Sequence, residues 1–499
     1  MRVRGLFLSA QCALLLLLAM SAPAAAPGDL DALIAAARSA PAEFSSDALI
    51  RIAALDQIER DRRIELLEQA FQHASGAQQP YKRHATPLRT DGSVGYWNRV
   101  YSQDLDGLSL RLRAVESMLP LDKVKARELF LQIPPPNTPR LTCEDSQVYD
   151  VGRFYEVLAN VAQTFAGKES EANEANAPFR LLHRYSGAFT SPVQAAPLAH
   201  ALATAKVTDD DFRTLTASFG AALGKVAGDD RSFVYSVALG KEIQALVEES
   251  KRRHVSPLPL LEGYRLYLVV NLSANRCADD DLMQGGKPSF GVFSTQPAEE
   301  PTGDFVTFFN DKLRIAPLQP IQEQEATPAR LEGVAAGQRI CQDAECRAIV
   351  DQMRGLLMSP SGSPYLPAER EKPEWQAKLR AVLSALSDWK ESGKTTPAEY
   401  FREKCAAYGE LVGLALNGSN REPVLHAILE FVSGNRFQTA NRVEWFLPVN
   451  ALVGRVGLDP LGLGKFAAEL RKANDPVIAL YANLEALAPR APDRILALL

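Results

Sequence analysis

The chain has 499 residues, 46% of them hydrophobic and 23% charged, with a formal charge of −5. Such a composition suits a folded chain with ample core and excludes fibrous or wholly disordered classes. The acidic balance gives no electrostatic ground for binding nucleic acid or anionic lipid, and the length is a prior for about three domains or one elongated architecture.

At the N-terminus, Arg2 and Arg4 precede an apolar run from Leu6 to Met20, and small residues follow, ending in Ala22-Pro23-Ala24. A basic head, a short apolar middle and an A-x-A exit predict a secretory signal peptide over residues 1–24. Cys12 sits inside the apolar run rather than at its exit, which argues against a lipid anchor. The run is shorter than the roughly 20 residues a bilayer crossing wants. No later segment reaches that length without charge; the most apolar, around residues 258–274, carries Glu262 and Arg265. Loss of Arg2 and Arg4 with the leader would take the charge from −5 to −7. The expectation is a periplasmic or secreted chain with no membrane span.

Residues 25–277 are predicted to form an N-terminal helical lobe. Ser191-Pro192 and Ser256-Pro257 each place a capping oxygen before a proline, whose missing N–H costs nothing at the first helical position. Gln194 falls three residues after Ser191, where its side chain can complete a capping box. Phe154, Leu158, Val161 and Phe165 recur at helical spacing, and Leu239, Ile243, Leu246 and Val247 form another stripe that closes with the basic residues 251–254. The segment from Pro259 to Ala274 is apolar nearly all round, which places it at the middle of a helical pack.

From 278 to 337 the helical rhythm is lost and Pro, Gly, Gln and Glu accumulate. This stretch is predicted to be a long irregular linker or surface excursion, with 291–295 and 304–309 as its strand-like pieces. Residues 338–499 form a second predicted helical lobe. There Thr396-Pro397 with Glu399 repeats the capping signal, as do Asp459-Pro460 and Asp475-Pro476, and Trp375, Leu379, Val382, Leu386 and Trp389 make one stripe. The fold class expected is all-α: stacked antiparallel helix pairs, as an irregular α-solenoid or a multi-helix bundle, in two lobes joined by the irregular segment. No fixed repeat period emerges, and the tetratricopeptide pattern is absent.

Signals for chemistry are weak. The histidines His73, His84, His183, His200, His254 and His426 are scattered, and none has a second histidine one helical turn away to share a metal. His426 lies off the apolar stripe of its segment and reads as a solvated side chain. No G-x-S-x-G elbow presents a serine. Gly464-Lys465 is followed by Phe466 where a phosphate loop needs Ser or Thr. At 279–286, Met283 and Gln284 stand where a calcium loop needs an oxygen ligand and a glycine. No cofactor or metal is expected. Two aromatic-basic clusters, Tyr96, Trp97, Arg99 and Tyr101, and Arg436, Phe437, Arg442 and Trp445, have the residue types that dominate binding hot spots. The same types also seal helical cores.

Five cysteines follow the leader. Cys405 shares an apolar stripe with Phe401, Tyr408, Val412 and Ala415 and reads as a buried thiol. Cys143, Cys277, Cys341 and Cys346 sit at helix edges, and an exported address favours two disulfides, expected as Cys143 with Cys277 and Cys341 with Cys346. Two cysteines five apart in one helix would be about 7.5 Å apart along its axis and about 140° around it, out of disulfide reach. The helix is therefore expected to start with Asp343 as its cap, leaving Cys341 outside. Functionally, the chain reads as an exported α-helical binding or scaffolding protein whose partner is a protein, peptide or envelope component such as a glycan. The alternative is a secreted hydrolase of a cell-wall or polysaccharide substrate with paired carboxylates between the lobes.

Overall fold

The computed structural model describes residues 27–79, 81, 83–85, 103–164, 177–275, 305–327, 344–435 and 445–452 together with 477 and 480, apart from isolated positions within these ranges. The architecture is all-α. Helices α1 (Pro27–Ser39), α2 (Ala42–Ala53), α3 (Arg60–His73), α4 (Gly107–Met118), α5 (Lys123–Leu131) and α6 (Gly152–Gln163) follow one another. Next come α7 (Ala177–Ser186), α8 (Pro192–Ala203), α9 (Asp209–Leu223), α10 (Leu239–Arg252) and α11 (Leu258–Leu272).

Local chemistry starts these helices. Asp106 caps α4 by accepting from Ser109 N–H at 2.9 Å, and Asp122 caps α5 from Lys125 N–H at 2.9 Å. Thr208 caps α9, whose first turn holds Asp209, Asp210 and Asp211 against the positive helix end. At α8, Gln194 Oε1 reaches back to Ser191 N–H at 3.1 Å, as the sequence predicts. The Ser191 hydroxyl goes elsewhere and donates to buried Asp230 at 2.9 Å. Asp230 also accepts from Leu141 N–H and Ser232 N–H, so one carboxylate ties three loops together. At α11 the expected start shifts by one residue, because Pro257 rather than Ser256 occupies the cap position.

Packing then follows a regular order. Beyond α4, most helices contact the one two places further on: α4 with α6, α6 with α8, α8 with α10, α7 with α9 and α9 with α11, whereas α5 packs on its neighbours α4 and α6. The stripes Phe154, Leu158 and Val161 of α6 and Leu239, Ile243, Leu246 and Val247 of α10 are buried in this stack. Phe165 lies outside the described residues. Helix α11 corrects the expectation of an element buried all round. Tyr264, Tyr267 and Leu268 are buried, but Pro259, Glu262 and Leu266 face solvent. A two-stranded antiparallel sheet, β1 (Arg83–Ala85) with β2 (Gln147–Tyr149), pairs His84 with Val148. Three residues a side are too few for alternation to show in the sequence.

Residues 304–309 do not form the strand their Phe, Val and Thr content suggested. Phe305–Phe308 is a short helix, α12, continued by a π-helical turn over Phe309–Leu313. Phe309, Leu313 and Ile321 are buried, so this part of the predicted linker packs onto the helices before it. The strand-like 291–295 lies outside the described residues.

Helices α13 (Ala344–Leu357), α14 (Pro373–Asp388), α15 (Pro397–Leu414) and α16 (Gly418–Gly434) repeat the earlier order, α13 packing on α15 and α14 on α16. Thr396 and Glu399 form the predicted capping box, and Trp375, Leu379, Val382, Leu386 and Trp389 are all buried. The capping residues at 459–460 and 475–476 are outside the described residues. No described helix is long and apolar enough to cross a membrane.

Helix α13 is described from Ala344, and Asp343, its expected cap, lies outside the described residues. Cys143 and Cys346 are in the disulfide-bonded state, and Cys405 is a buried free thiol on the predicted stripe. The expected partners Cys277 and Cys341 fall outside the described residues.

Candidate functional site

Helices α8 and α10 flank an open groove of about 790 Å³, lined by His200, Ala203 and Thr204 on one side and Glu242, Ala245, Glu248, Glu249, Lys251 and Arg252 on the other. The sequence makes this groove by placing small residues, Ala203 and Ala245, where the facing surfaces would otherwise fill. Charge along the rim is paired. His200 Nδ1 lies 3.1 Å from Glu242 Oε2, Lys251 Nζ donates to Glu248 Oε1 at 2.9 Å, and Arg252 pairs with Glu249.

Glu249 is the anchored member. Burial pushes its carboxyl up, but hydrogen bonds from Arg252 and Arg253 outweigh that and hold it below the usual carboxylate range. Arg253 also donates to Val207 O and Ala205 O, joining the end of α10 to the loop after α8. By contrast, His200, Glu248, Lys251 and Arg252 are largely exposed. Ion pairs of that kind contribute about 0–1 kcal/mol each, so a ligand's charges can replace them at little cost.

The two clusters singled out in the sequence are placed differently. Tyr96, Trp97, Arg99, Tyr101, Arg436, Phe437 and Arg442 lie outside the described residues. Trp445 is half-buried against the core, and its indole N–H has no acceptor among the described residues. The flanks of the clusters do meet. Gln103 Nε2 donates to Leu447 O at 3.0 Å, and Phe446 sits edge-on to Phe44 of α2 at 5.1 Å between ring centroids. Residues far apart in the chain thus close the C-terminal segment onto the first helices.

Carboxylates converge near that contact. Arg153 pairs with Asp104 at 3.1 Å and also with Glu116. Asp104 holds a left-handed φ of 54°, a costly backbone state for a residue other than glycine. Tyr81 donates to Asp150 O at 2.7 Å, and its hydroxyl is held un-ionised by burial first and then by Asp106 and Asp150. Arg153 stands between the carboxylates, so this is an ion-pair cluster rather than a free acid pair. Among the described residues, no group of three or more His, Cys, Asp or Glu side chains could hold a metal ion. His426 is exposed, as expected from its offset.

One buried amine has an unusual setting. Lys404, 4% exposed, donates to Ser387 O at 3.2 Å, Trp389 O at 2.6 Å and Tyr400 Oη at 3.1 Å, and lies near the rings of Trp389, Tyr400 and Phe431. It satisfies carbonyls at the end of α14, a cation at the negative end of the helix. Burial pushes the ammonium down to about 8, with Asp388, Cys405 and Glu345 opposing and Lys390 adding to the fall. The folded value lies below the unfolded one, so between about pH 8 and about pH 10 the unfolded chain binds more protons and this residue's contribution to stability rises with pH. Unfolding midpoints measured across that range for wild type and Lys404→Met should diverge in favour of wild type as pH rises. Parallel curves would contradict the assignment.

No known family matches the chain, and no curated protein or solved structure is similar to it. The groove residues His200 and Glu242 were not singled out in the sequence. Each is an ordinary polar-face residue of its own helix, and only the packing of α8 on α10 makes them a pair.

Proposed function

We propose that this is an exported α-helical binding protein that takes a polypeptide segment across the α8–α10 groove. The observation that carries the reading is the groove itself: small residues open it, and exposed, weakly held charges of both signs line its rim. A polypeptide offers charges of both signs and backbone hydrogen bonds, which is what such a rim can exchange for its own pairs. The leader-like residues 1–24 support the exported address. The order in which helix packs on second-next helix supports an irregular solenoid, with 25–277 and 338–499 as its two lobes and 278–337 between them. The disulfides proposed are Cys143 with Cys277 and Cys341 with Cys346, in keeping with the bonded state of Cys143 and Cys346.

Reversing the rim charge tests the reading. A chain with Glu248→Lys and Lys251→Glu keeps the local pair but reverses its order, and a chain with Glu242→Lys and Glu248→Lys makes the groove basic. Affinity capture from an envelope extract should retain a partner on wild type and lose it, at least about tenfold, on the basic variant. Equal recovery on all three would place the binding surface elsewhere.

A further inference from the structure

Residues 305–327 lie against the last helix pair of the first stack, where a further pair would otherwise pack. Phe305, Phe309 and Leu313 recur at i, i+4 and i+8, so one face of this short helical piece is apolar. Phe305 packs on Phe233 at 5.2 Å between centroids, Phe233 on Tyr267 at 5.5 Å, and Phe309 on Tyr264 at 6.2 Å. Phe308 lies so close to Gly240 of α10 that an added Cβ there would stand 3.0 Å from its ring.

The rest of the strap is clamped by one side chain. Arg265 of α11 donates to Gln319 O at 3.0 Å and Pro320 O at 3.2 Å, and its Nη2 meets both oxygens of Glu325, at 3.0 and 2.8 Å. Asn310 holds the strap in a closed loop, donating to Ile321 O at 3.0 Å and accepting from Ile321 N–H at 2.9 Å. Stacked helical arrays end in a unit that covers the last apolar face. Here that cover is a short segment tied to α11 by the polar contacts of one partly buried arginine, Arg265.

We propose that the face formed by Phe233, Gly240, Tyr264, Tyr267 and Arg265 is a peptide-binding surface that the chain occupies with its own residues 305–327. The strap defines the ligand chemistry: a short amphipathic helix with aromatic or aliphatic side chains at i, i+4 and i+8, followed by a carboxylate that meets Arg265. A partner segment of that chemistry competes with the strap, which makes the contact autoinhibitory. This surface is separate from the α8–α10 groove and does not depend on it.

The test uses a fluorescent synthetic peptide with the sequence of residues 304–327, added in trans to the full chain. Wild type should bind it weakly, because the strap is already in place. Glu325→Ala, which removes the clamp together with the carboxylate's hydrogen bond from Gln322 N–H, should bind it at least about tenfold more tightly, and Phe309→Ala with Leu313→Ala more tightly still. Adding Arg265→Ala to Glu325→Ala should abolish the gain, as should replacing Phe309 in the peptide by alanine. A Glu325→Ala chain of unchanged helicity that binds no better than wild type would overturn the proposal, whatever the core variant does. A gain that survives Arg265→Ala would overturn it too.

Discussion

Gly263→Ala is expected to lower the thermal midpoint of the first helical stack, although helix propensity alone favours alanine by about 1 kcal/mol. Gly263 is where α11 crosses α9 backbone to backbone: a Cβ there would stand 1.9 Å from Gly220 O and 2.4 Å from its carbonyl carbon. The crossing is reciprocal, because a Cβ on Gly220 would lie 2.6 Å from Pro259 O. Further along, a Cβ on Gly228 would lie 2.4 Å from Val270 O. Side chains can rotate away from an added methyl group, but a backbone carbonyl inside a helix cannot without breaking its own hydrogen bond. The helices must therefore separate along their length. A net loss of about 3 kcal/mol, the upper part of the overpacking range, follows. Gly355→Ala is the control, since a Cβ at that helical position meets nothing within 4 Å and should be neutral or mildly stabilising. Scanning calorimetry of the two variants checks the pair, and a Gly263→Ala midpoint at or above wild type would show that the helices do not cross this closely.

Asp47→Asn should be comparably damaging for an electrostatic reason. Asp47 of α2 is 1% exposed and pairs through Oδ2 with Arg51 Nε at 2.9 Å and through Oδ1 with Arg113 Nη2 of α4 at 2.6 Å. The amide keeps the shape but removes the charge, leaving two guanidiniums facing each other in a largely buried site. Breaking such a pair costs about 3–5 kcal/mol, whereas replacing the whole group by apolar residues is often neutral. Denaturant melts should show the loss for Asp47→Asn and its partial recovery when Arg113→Leu is added. A single variant that unfolds with wild type would mean the carboxylate contributes no net stabilisation.

How far the sequence foretold this structure depended on the range of the interaction. Caps and stripes are local, so Gln194 at α8, Glu399 at α15, the Trp375 to Trp389 stripe and the buried thiol of Cys405 were all readable within one helix. What depends on which helix meets which was not. The Gly220–Gly263 crossing joins residues in different helices, and nothing at either glycine signals the other. The strand-like reading of 304–309 failed because Phe, Val and Thr carry β propensity, and packing against Tyr264 and Phe233 overrode it. In the groove, the 42 residues that separate His200 from Glu242 hide a pair that only the packing of α8 on α10 makes.

A photo-reactive side chain at Ala245 tests whether the α8–α10 groove receives a polypeptide. Ala245 is exposed and lies in the groove, while Glu262 is exposed on α11 outside it. Irradiation in the native envelope should give a discrete polypeptide adduct from position 245, lost on making the groove basic, and none of that mass from position 262. The same adducts from both positions, or none from 245 while the chain is folded, would contradict the account.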